Sequence, residues 1–368
     1  MPDLPHPEAT HARGVFAGQL PSASTHRSRF IHAASPRSRL ASVAHSFRGN
    51  GTVRNLSCLL SQRISLSDQS EGFCYVHTPI LTSNDCEGAG EALRIAPLSE
   101  SPEKVEYFSR PSYLTVSSQL HLEALATAIS RVYTLSPCFR AEPSLTGRHL
   151  SEFWMLEAEW AFTQNVDDIC RMVEHALKNV IREVDRSLDN DDDTKLRGLE
   201  PTHDILNTPW PRMTYTDAIR ELSKNEQIFQ CAPGWGKPLR SEHEKWLAEK
   251  LVGGPVFVTD YPIVQKPFYM RVNDDGKTVG CFDLLVPRMG ELVGGSLREE
   301  RLDVLKASME RQGLQQSDYA WYLDLRKFGG APHGGFGMGF ERLIGWMTGI
   351  GSVRECIAMP RWSGRMLL

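Results

Sequence analysis

The sequence predicts an α+β fold in which an antiparallel sheet is flanked by helices. Short alternating runs of apolar residues are joined by tight polar turns, such as residues 273–276, and this pattern is typical of antiparallel hairpins. Amphipathic segments with helical spacing separate these runs. The Walker and Rossmann glycine patterns of parallel nucleotide-binding sheets do not occur in the sequence.

Composition limits the classes of protein to which this chain can belong. With 368 residues, 41% of them hydrophobic and 23% charged, it has the make-up of a globular protein with one large domain. A net charge of −4 gives no general attraction to nucleic acid, so any RNA contact must be local. The eight cysteines are scattered without metal-type pairs, which favours a reducing compartment. No apolar run approaches the ~20 residues that cross a bilayer, so no membrane association is expected.

The first sixty residues differ from the rest and predict a boundary between residues 1–60 and 61–368. Residues 9–67 contain no Asp or Glu but carry eight arginines among serines and alanines. This composition is typical of a mitochondrial transit peptide and predicts a location in the mitochondrial matrix. A disordered basic tail or a damaged reading frame would give the same composition, and a cytoplasmic location is the alternative.

Local patterns place the first elements of the main domain in order. Strands are predicted over residues 73–80 and 113–116, and a helix over residues 120–131. Asn165 precedes apolar positions with helical spacing and is expected to cap a long helix. Ser241 and Glu244 have the spacing of a capping box before another helix.

Hairpins and helices continue to alternate in the C-terminal half of the chain. Strands are predicted over residues 256–261, 268–272 and 278–286, the last two joined by a tight turn. A helix is predicted over residues 299–312. A glycine-rich stretch then leads into a last helix that begins near Phe340.

One hairpin carries the most informative pattern of the chain. An apolar strand ends at Arg140 and Glu142, a polar turn carries Arg148 and His149, and a second alternating strand begins near Phe153. The hairpin therefore presents cations, a carboxylate and an aromatic ring together. Guanidinium and imidazole groups suit phosphates and an aromatic face suits a base, so a nucleotide is the expected ligand.

This hairpin resembles motif 2 of the class II aminoacyl-tRNA synthetases, in the branch for aspartate, asparagine and lysine. The stretch Arg-His-Leu-Ser-Glu-Phe-Trp-Met-Leu-Glu, residues 148–157, is most similar to the asparaginyl members. Residues 335–343, Gly-Phe-Gly-Met-Gly-Phe-Glu-Arg-Leu, resemble motif 3, and Pro79 resembles the motif 1 proline. The resemblance covers residues 72–368.

The resemblance implies a two-step reaction. Asparagine and ATP would give asparaginyl-adenylate and pyrophosphate, and the aminoacyl group would then pass to tRNA(Asn). ATP and Mg²⁺ are the implied cofactors, asparagine and tRNA(Asn) the implied partners, and a homodimer the implied assembly. Catalysis is expected to be electrostatic and positional, because fixed cations can stabilise the charge that grows on the α-phosphate.

The resemblance also assigns roles in ATP binding. Arg140 and Arg342 are the implied catalytic arginines: Arg140 would stabilise the attacked phosphate, and Arg342 would cover adenine and reach the γ-phosphate. Phe153 would stack on adenine, and Glu142 would accept from its amino group. The full ATP-binding set is Arg140, Glu142, Arg148, His149, Phe153, Glu291 and Arg342.

Asp283 and Glu291 stand among apolar strand positions, where acids are costly unless a cation neutralises them. Magnesium that bridges phosphates would do so, and the resemblance places the metal carboxylates at these positions. Pairing with a nearby arginine such as Arg288 is the purely structural alternative. The implied amino-acid-binding residues are Glu87, Ser117, Gln119, Glu123 and Arg298.

Leu122 favours asparagine over aspartate as the substrate. Aspartyl enzymes carry a lysine at the position that resembles Leu122, and a substrate carboxylate in a dry pocket needs such a cation. The aspartyl-tRNA synthetases therefore stay an alternative. An asparagine-forming relative, in which ammonia attacks aspartyl-adenylate, should keep the same cation.

Members of this family carry an N-terminal OB-fold barrel that binds the anticodon. The residues before Gly72 lack the length and the strand pattern of such a barrel, so we expect it to be absent from this sequence. That expectation keeps open the asparagine-forming relative and a non-catalytic, synthetase-like protein that binds RNA or protein. The phosphate and metal positions nevertheless all carry the expected residue types, which favours an enzyme.

Overall fold

The computed structural model describes residues 71–84, 92–96, 106–144, 146–188 and 202–366. The predicted segment 1–60 and its boundary lie outside these ranges. The strands are β1 Cys74–Tyr75, β2 Leu81–Thr82, β3 Arg94–Ile95, β4 Ser112–Leu114, β5 Arg131–Phe139, β6 Glu152–Ala161, β7 Arg212–Thr214, β8 Val256–Thr259, β9 Cys281–Val286, β10 Gly290–Leu297, β11 His333–Gly339, β12 Arg361–Trp362 and β13 Arg365–Met366. The α-helices are α1 Gln119–Ile129, α2 Val166–Leu188, α3 Thr202–Asn207, α4 Tyr215–Ser223, α5 Ser241–Trp246, α6 Leu302–Arg311, α7 Ala320–Lys327 and α8 Phe340–Thr348.

Ten of the described strands form one sheet that is mainly antiparallel. Along its main path the order is β1-β5-β6-β11-β10-β9-β8-β7, and β12 with β13 extends it beside the start of β6. Among these strands, only the outer pairs β1 with β5 and β7 with β8 run parallel. Strands β2, β4 and β3 form a separate small sheet. The predicted antiparallel sheet with flanking helices is confirmed.

The two faces of β6 separate the core from the candidate site. Leu156 and Trp160 are buried in the main hydrophobic core, where Ile169 of α2 packs against the sheet. Because side chains alternate along a strand, Glu157 and Glu159 lie on the opposite face. The apolar face thus fixes the position of a strand whose other face carries two carboxylates.

Several predicted elements are confirmed close to their expected bounds. Helix α1 and helix α6 lie within three residues of the predicted ranges. The side chain of Asn165 accepts a hydrogen bond from the backbone N–H of Asp167 at 2.9 Å, which caps the start of α2 as expected. In the described part of the chain, no helix is both long and apolar enough to span a bilayer.

The predicted capping box at α5 is wrong. Helix α5 is capped one residue earlier, where His243 Nδ1 accepts from the backbone N–H of Arg240 at 3.1 Å. The side chains of Ser241 and Glu244 accept hydrogen bonds from Arg148 instead. Their three-residue spacing therefore serves a tertiary contact rather than the helix end.

Two strand predictions need correction, and one strand was not predicted. The strand predicted over residues 73–80 shortens to β1, and residues 268–272 make only isolated bridges, because Phe268 packs among the helices α6 and α7. The glycine-rich stretch before Phe340 forms β11, which pairs with both β6 and β10. Glycine has a weak strand propensity, so local sequence gave no indication of this strand.

Candidate active site

Two adjoining cavities open on the sheet face that carries Glu157 and Glu159. The first has a volume of about 340 Å³ and is lined from α1, β6, β9, β10 and β11, a size within the usual range of small-molecule sites. The second lies between the β5–β6 hairpin and the start of α8. Four residues line both cavities: Arg140, Met155, Glu291 and Gly337. The cleft therefore has two compartments that meet beside Arg140.

The second cavity brings together all seven residues that the sequence predicts for ATP binding. Its lining contains Arg140, Glu142, Arg148, His149, Phe153, Glu291 and Arg342. They come from the hairpin, from β10 and from α8, so the fold joins three segments that are far apart in the sequence. A nucleotide-sized group in this cavity would meet an aromatic ring, four cationic or ionisable nitrogen groups and three carboxylates.

The hairpin side chains contact one another directly. The Arg140 guanidinium carbon lies 5.5 Å from the centre of the Phe153 ring, and Nη1 of Arg140 lies 3.9 Å from Oε1 of Glu142. Nε2 of His149 lies 3.2 Å from Oε2 of Glu142, and its Nδ1 lies 2.6 Å from the Thr146 hydroxyl. Burial lowers the pKa of His149 more than Glu142 raises it, so the imidazole is mainly neutral at pH 7.

Arg342 and Glu291 link α8 to β10 at the floor of the second cavity. Nη1 of Arg342 donates to the backbone carbonyl of Glu291 at 3.1 Å and lies 3.5 Å from its Oε2. Burial acts to raise the pKa of Glu291, but the charges of Arg342 and Lys266 outweigh it and hold that pKa below its usual range. Glu291 is thus an anion in a cavity lined by cations.

Glu341 is a buried carboxylate that links this cavity to the start of β6. Both of its oxygens accept from the backbone N–H of Trp154 at 3.2 Å. The ladder between β6 and β11 ends at Met155 and Gly339, so Glu341 satisfies the next donor along β6. Burial raises the pKa of Glu341 from its ordinary value of 4.5 to about 7.

We expect the Glu341→Gln variant to become more stable relative to the wild type as the pH rises. Because the folded pKa lies above the unfolded one, wild-type protein loses free energy of unfolding between pH 4.5 and about 7, by about 3 kcal/mol at most. Glutamine keeps an oxygen for Trp154 N–H and carries no charge to bury. In urea unfolding, the difference between variant and wild type should therefore grow from pH 5 to pH 8.

The exposed Glu310 of α6 provides the matched control for this measurement. Glu310→Gln also removes a carboxylate, but from a solvated position. The difference in free energy of unfolding between this variant and the wild type should therefore change little with pH. An equally flat difference for Glu341→Gln would mean that Glu341 is solvated in the folded protein, contrary to the structure.

The first cavity contains three of the five predicted amino-acid-binding residues. Ser117, Gln119 and Arg298 line it. Leu122, on which the preference for asparagine rests, lines it as well. Glu87 lies outside the described residues.

Glu123 does not line the cavity, which corrects the expectation for this residue. It is fully buried one layer behind the wall, where it accepts from Arg326 Nη2 at 2.6 Å and lies 3.1 Å from His333 Nε2. It also accepts from the Gln119 side-chain amide at 3.1 Å. Burial acts to raise the pKa of Glu123, but Arg326 and His333 lower it well below its usual range. Glu123 therefore holds Gln119 in place as an anion.

Arg298 is a buried cation whose position is set by a carboxylate of β6. Its Nη2 donates to Oε2 of Glu159 at 2.9 Å, and its Nη1 donates to the Ser296 hydroxyl at 2.6 Å. Its guanidinium carbon lies 5.5 Å from the centre of the Tyr269 ring. A guanidinium held by so many partners can present its remaining donors to a ligand in a fixed direction.

Three charged residues of the first cavity were missed from the sequence: Glu157, Glu159 and Lys266. The two glutamates alternate on an otherwise apolar strand, and that spacing is a signal that could have identified them. Glu157 accepts from the Ser117 hydroxyl and from the backbone N–H of Ser118 at 2.8 Å, while burial raises its pKa. Lys266 has no comparable local signal, because its partner Asp283 lies 17 residues further along the chain, on β9.

Asp283 and Glu291 supply the donor set that a magnesium ion prefers. A Cβ built on Gly294 would lie 3.2 Å from Oε1 of Glu291 and 3.7 Å from Oδ1 of Asp283, so the two carboxylates flank one open position. Asp283 pairs with Lys266 Nζ at 3.0 Å, which replaces the expected arginine alternative. Within the described ranges no cluster of three or more His, Cys, Asp or Glu could hold a metal alone, so phosphates would have to complete this site.

Comparison with known proteins identifies the family. Residues 57–363 match the model for class II tRNA synthetases (D, K and N). The chain belongs to this family. The family and the fold predicted from the sequence are thereby confirmed.

Similar members of the class II tRNA synthetases include two proteins named as asparagine–tRNA ligases. One is from Rhodopirellula baltica, 45% identical over 85% of this chain and 66% of its own length. The other is the mitochondrial protein of Saccharomyces cerevisiae, 47% identical over 86% of this chain and 69% of its own length. The chain thus spans about two thirds of the length of these relatives.

A solved structure of similar fold is the asparaginyl-tRNA synthetase of Pyrococcus horikoshii complexed with asparaginyl-adenylate. It superimposes with a TM-score of 0.80 at 31% identity and covers 90% of this chain and 74% of its own. The asparaginyl-tRNA synthetase of Entamoeba histolytica, also in complex with asparaginyl-adenylate, superimposes with a TM-score of 0.78 at 28% identity. That alignment covers 91% of this chain and 73% of the other.

Proposed function

We propose that this chain activates asparagine with ATP, forming asparaginyl-adenylate and pyrophosphate, and then transfers the aminoacyl group to tRNA(Asn). The asparagine–tRNA ligases among its relatives support the substrate. The observation that carries the chemistry is the junction of the two cavities at Arg140. An amino-acid carboxylate in the first cavity and an α-phosphate in the second would face each other there.

Arg140 would stabilise the phosphate during the attack. As the carboxylate oxygen of asparagine approaches the α-phosphorus, negative charge grows on the non-bridging oxygens and the bond to the pyrophosphate oxygen breaks. A guanidinium already fixed at the junction stabilises that charge without reorganising. Mg²⁺, held by Asp283, Glu291 and the phosphates, would neutralise the leaving pyrophosphate.

Phe153 and Arg342 would hold the adenine between them, with Glu142 accepting from its amino group. In the structure Glu142 lies against His149, so binding of ATP would exchange this partner for the base. The freed imidazole could then take a proton beside the outer phosphates, where Arg148 also lies. The family resemblance implies these roles, and the lining of the second cavity supports them.

The charges of the first cavity support asparagine rather than aspartate as the substrate. Glu159 neutralises Arg298, and Asp283 neutralises Lys266. Glu157 accepts from two serine donors rather than from a cation. When ionised, Glu157 accepts from the amide N–H of asparagine and repels the carboxylate of aspartate.

ATP–pyrophosphate exchange with purified protein tests this proposal without tRNA. We expect exchange with asparagine to exceed exchange with aspartate in kcat/KM by on the order of 10³-fold, because an unpaired carboxylate is rejected strongly by a buried acceptor. Faster exchange with aspartate would point to an aspartyl enzyme or an asparagine-forming relative. No exchange with either amino acid would favour a non-catalytic protein.

Location and assembly belong to the same proposal. The arginine-rich, acid-free composition of residues 9–67 and the mitochondrial relative of Saccharomyces cerevisiae support the mitochondrial matrix. The bacterial relatives are equally similar, and a cytoplasmic location is the alternative. Exposed apolar side chains at Tyr75, Ile80 and Leu81, beside the motif 1 proline, support a homodimer.

A further inference from the structure

Arg148 of the ATP cavity is held from outside the motif hairpin. Its Nη1 donates to the Ser241 hydroxyl at 2.7 Å, and its Nη2 donates to Oε2 of Glu244 at 3.1 Å. Both acceptors belong to α5, which lies outside the three sequence motifs. A loop arginine is ordinarily free to change rotamer, so two acceptors on a rigid helix restrict the direction in which this one points.

The same Glu244 oxygen also reaches the strand that carries Glu291. The backbone N–H of Glu291 lies 3.3 Å from Oε2 of Glu244. A Cβ on the preceding Gly290 would lie only 2.4 Å from that oxygen and 3.1 Å from Nη2 of Arg148. The contact between Arg148 and Glu244 therefore occupies space that is open only because residue 290 has no Cβ. Gly290 also has a φ of +79°, which glycine tolerates.

A second acid of this helical segment contacts the same β9–β10 turn. Helix α5 continues into a π-type segment, Leu247–Val252, and Oε1 of Glu249 accepts from the backbone N–H of Arg288 at 2.6 Å. π-type bonding brings residues five apart toward one face, which lets Glu244 and Glu249 reach one turn. The segment is thereby attached at two points, to Arg288 in the β9–β10 turn and to Glu291 on β10.

Packing alone does not require a carboxylate at position 244. The Glu244 side chain is 15% exposed, and burial raises its pKa, as does the nearby charge of Glu291. An apolar residue would fill this space without that cost. The carboxylate is explained if its contacts with Arg148 and Glu291 serve the neighbouring cavity.

We infer that Glu244 is a positioning residue for ATP binding, which holds Arg148 of the hairpin and the backbone of Glu291 in one arrangement around the phosphates. This inference rests on the proposed function, since it concerns the same ATP cavity. Ser241 shares the task, because it accepts from the other terminal nitrogen of Arg148.

The test compares Glu244→Gln with Glu242→Gln in the full chain. Glu242 lies on the same helix but accepts from the backbone of Gln230 and Cys231. We expect Glu244→Gln to raise KM for ATP about ten- to hundredfold, the effect of losing a charge-assisted hydrogen bond, with KM for asparagine within twofold. Glu242→Gln should leave both constants within twofold, and thermal unfolding should show that both variants fold.

A double variant separates positioning from a general structural role. If Glu244 acts through Arg148, the Arg148→Ala substitution should weaken ATP binding much less in the Glu244→Gln variant than in the wild type. Equal costs in both backgrounds would overturn the inference. So would a KM for ATP within twofold of wild type, or an equal rise in Glu242→Gln.

Calorimetric titration with ATP distinguishes failure of this inference from failure of the proposed function. Wild type that binds ATP but exchanges no pyrophosphate would refute the proposed function, while weaker ATP binding by Glu244→Gln would still support the inference. Wild type that exchanges with asparagine while Glu244→Gln binds ATP normally would refute only the inference. Wild type that binds no ATP would overturn both.

Discussion

Arg140→Ala is expected to lower kcat for asparagine-dependent ATP–pyrophosphate exchange by about 10³-fold or more. Arg140 lines both cavities and is the cation at their junction. Removal of one preorganised donor to a developing anion typically costs 10²–10³-fold, and this donor carries a full charge. The side chain is 24% exposed, so its loss should leave folding intact.

Arg140→Lys provides a graded comparison for this prediction. Lysine keeps the positive charge but loses the planar fork of donors, so its rate should lie between those of wild type and alanine. Arg171→Ala, at a 63% exposed position of α2, serves as a control for the loss of an arginine and should leave the rate unchanged. A rate for Arg140→Ala within tenfold of wild type would refute its assignment as a catalytic residue.

Arg298→Met is expected to abolish asparagine-dependent exchange and to destabilise the fold as well. Arg298 is 3% exposed, and its removal leaves Glu159, which is 1% exposed, as a buried charge without its closest cation. Breaking such a pair typically costs about 3–5 kcal/mol, because the remaining charge cannot be solvated. Chemical unfolding would measure the loss of stability, and exchange would measure the loss of substrate recognition.

The double variant Arg298→Met/Glu159→Gln separates these two effects. With the orphaned charge removed, most of the lost stability should return, since replacing both partners of a buried pair is often nearly neutral. Exchange with asparagine should stay low, because the guanidinium of Arg298 no longer faces the first cavity. Recovery of exchange to within tenfold of wild type would mean that Arg298 only stabilises the fold.

The local sequence was sufficient to predict the hairpin that resembles motif 2 and most of the helices. Arg140, the turn with Arg148 and His149, and the alternating strand after them lie within one hairpin, so spacing alone predicts that they converge. Caps such as Asn165 are equally local, because the side chain binds a backbone group two residues away. The preference for asparagine rested on Leu122, which the structure places in the wall of the first cavity.

Errors arose where a residue had both a local and a distant partner available. Ser241 and Glu244 have the spacing of a capping box, yet they bind Arg148, 93 and 96 residues away in the sequence. The family resemblance places Glu123 in the pocket wall, yet it pairs with Arg326, 203 residues away. In both cases an arginine from a distant part of the chain offered a stronger contact than the local backbone or a ligand.

The sequence by itself determined that this chain forms antiparallel hairpins with flanking helices, because alternation and turn chemistry act between near neighbours. It also predicts that the turn with Arg148 and His149 binds a nucleotide. Only the tertiary structure decided which charges neutralise one another: Lys266 with Asp283, Arg298 with Glu159 and Arg148 with Glu244. Such pairs depend on how strands and helices are packed together. The spacing of two residues along the chain does not give the distance between their charges in the fold, whereas the Coulomb energy depends directly on that distance.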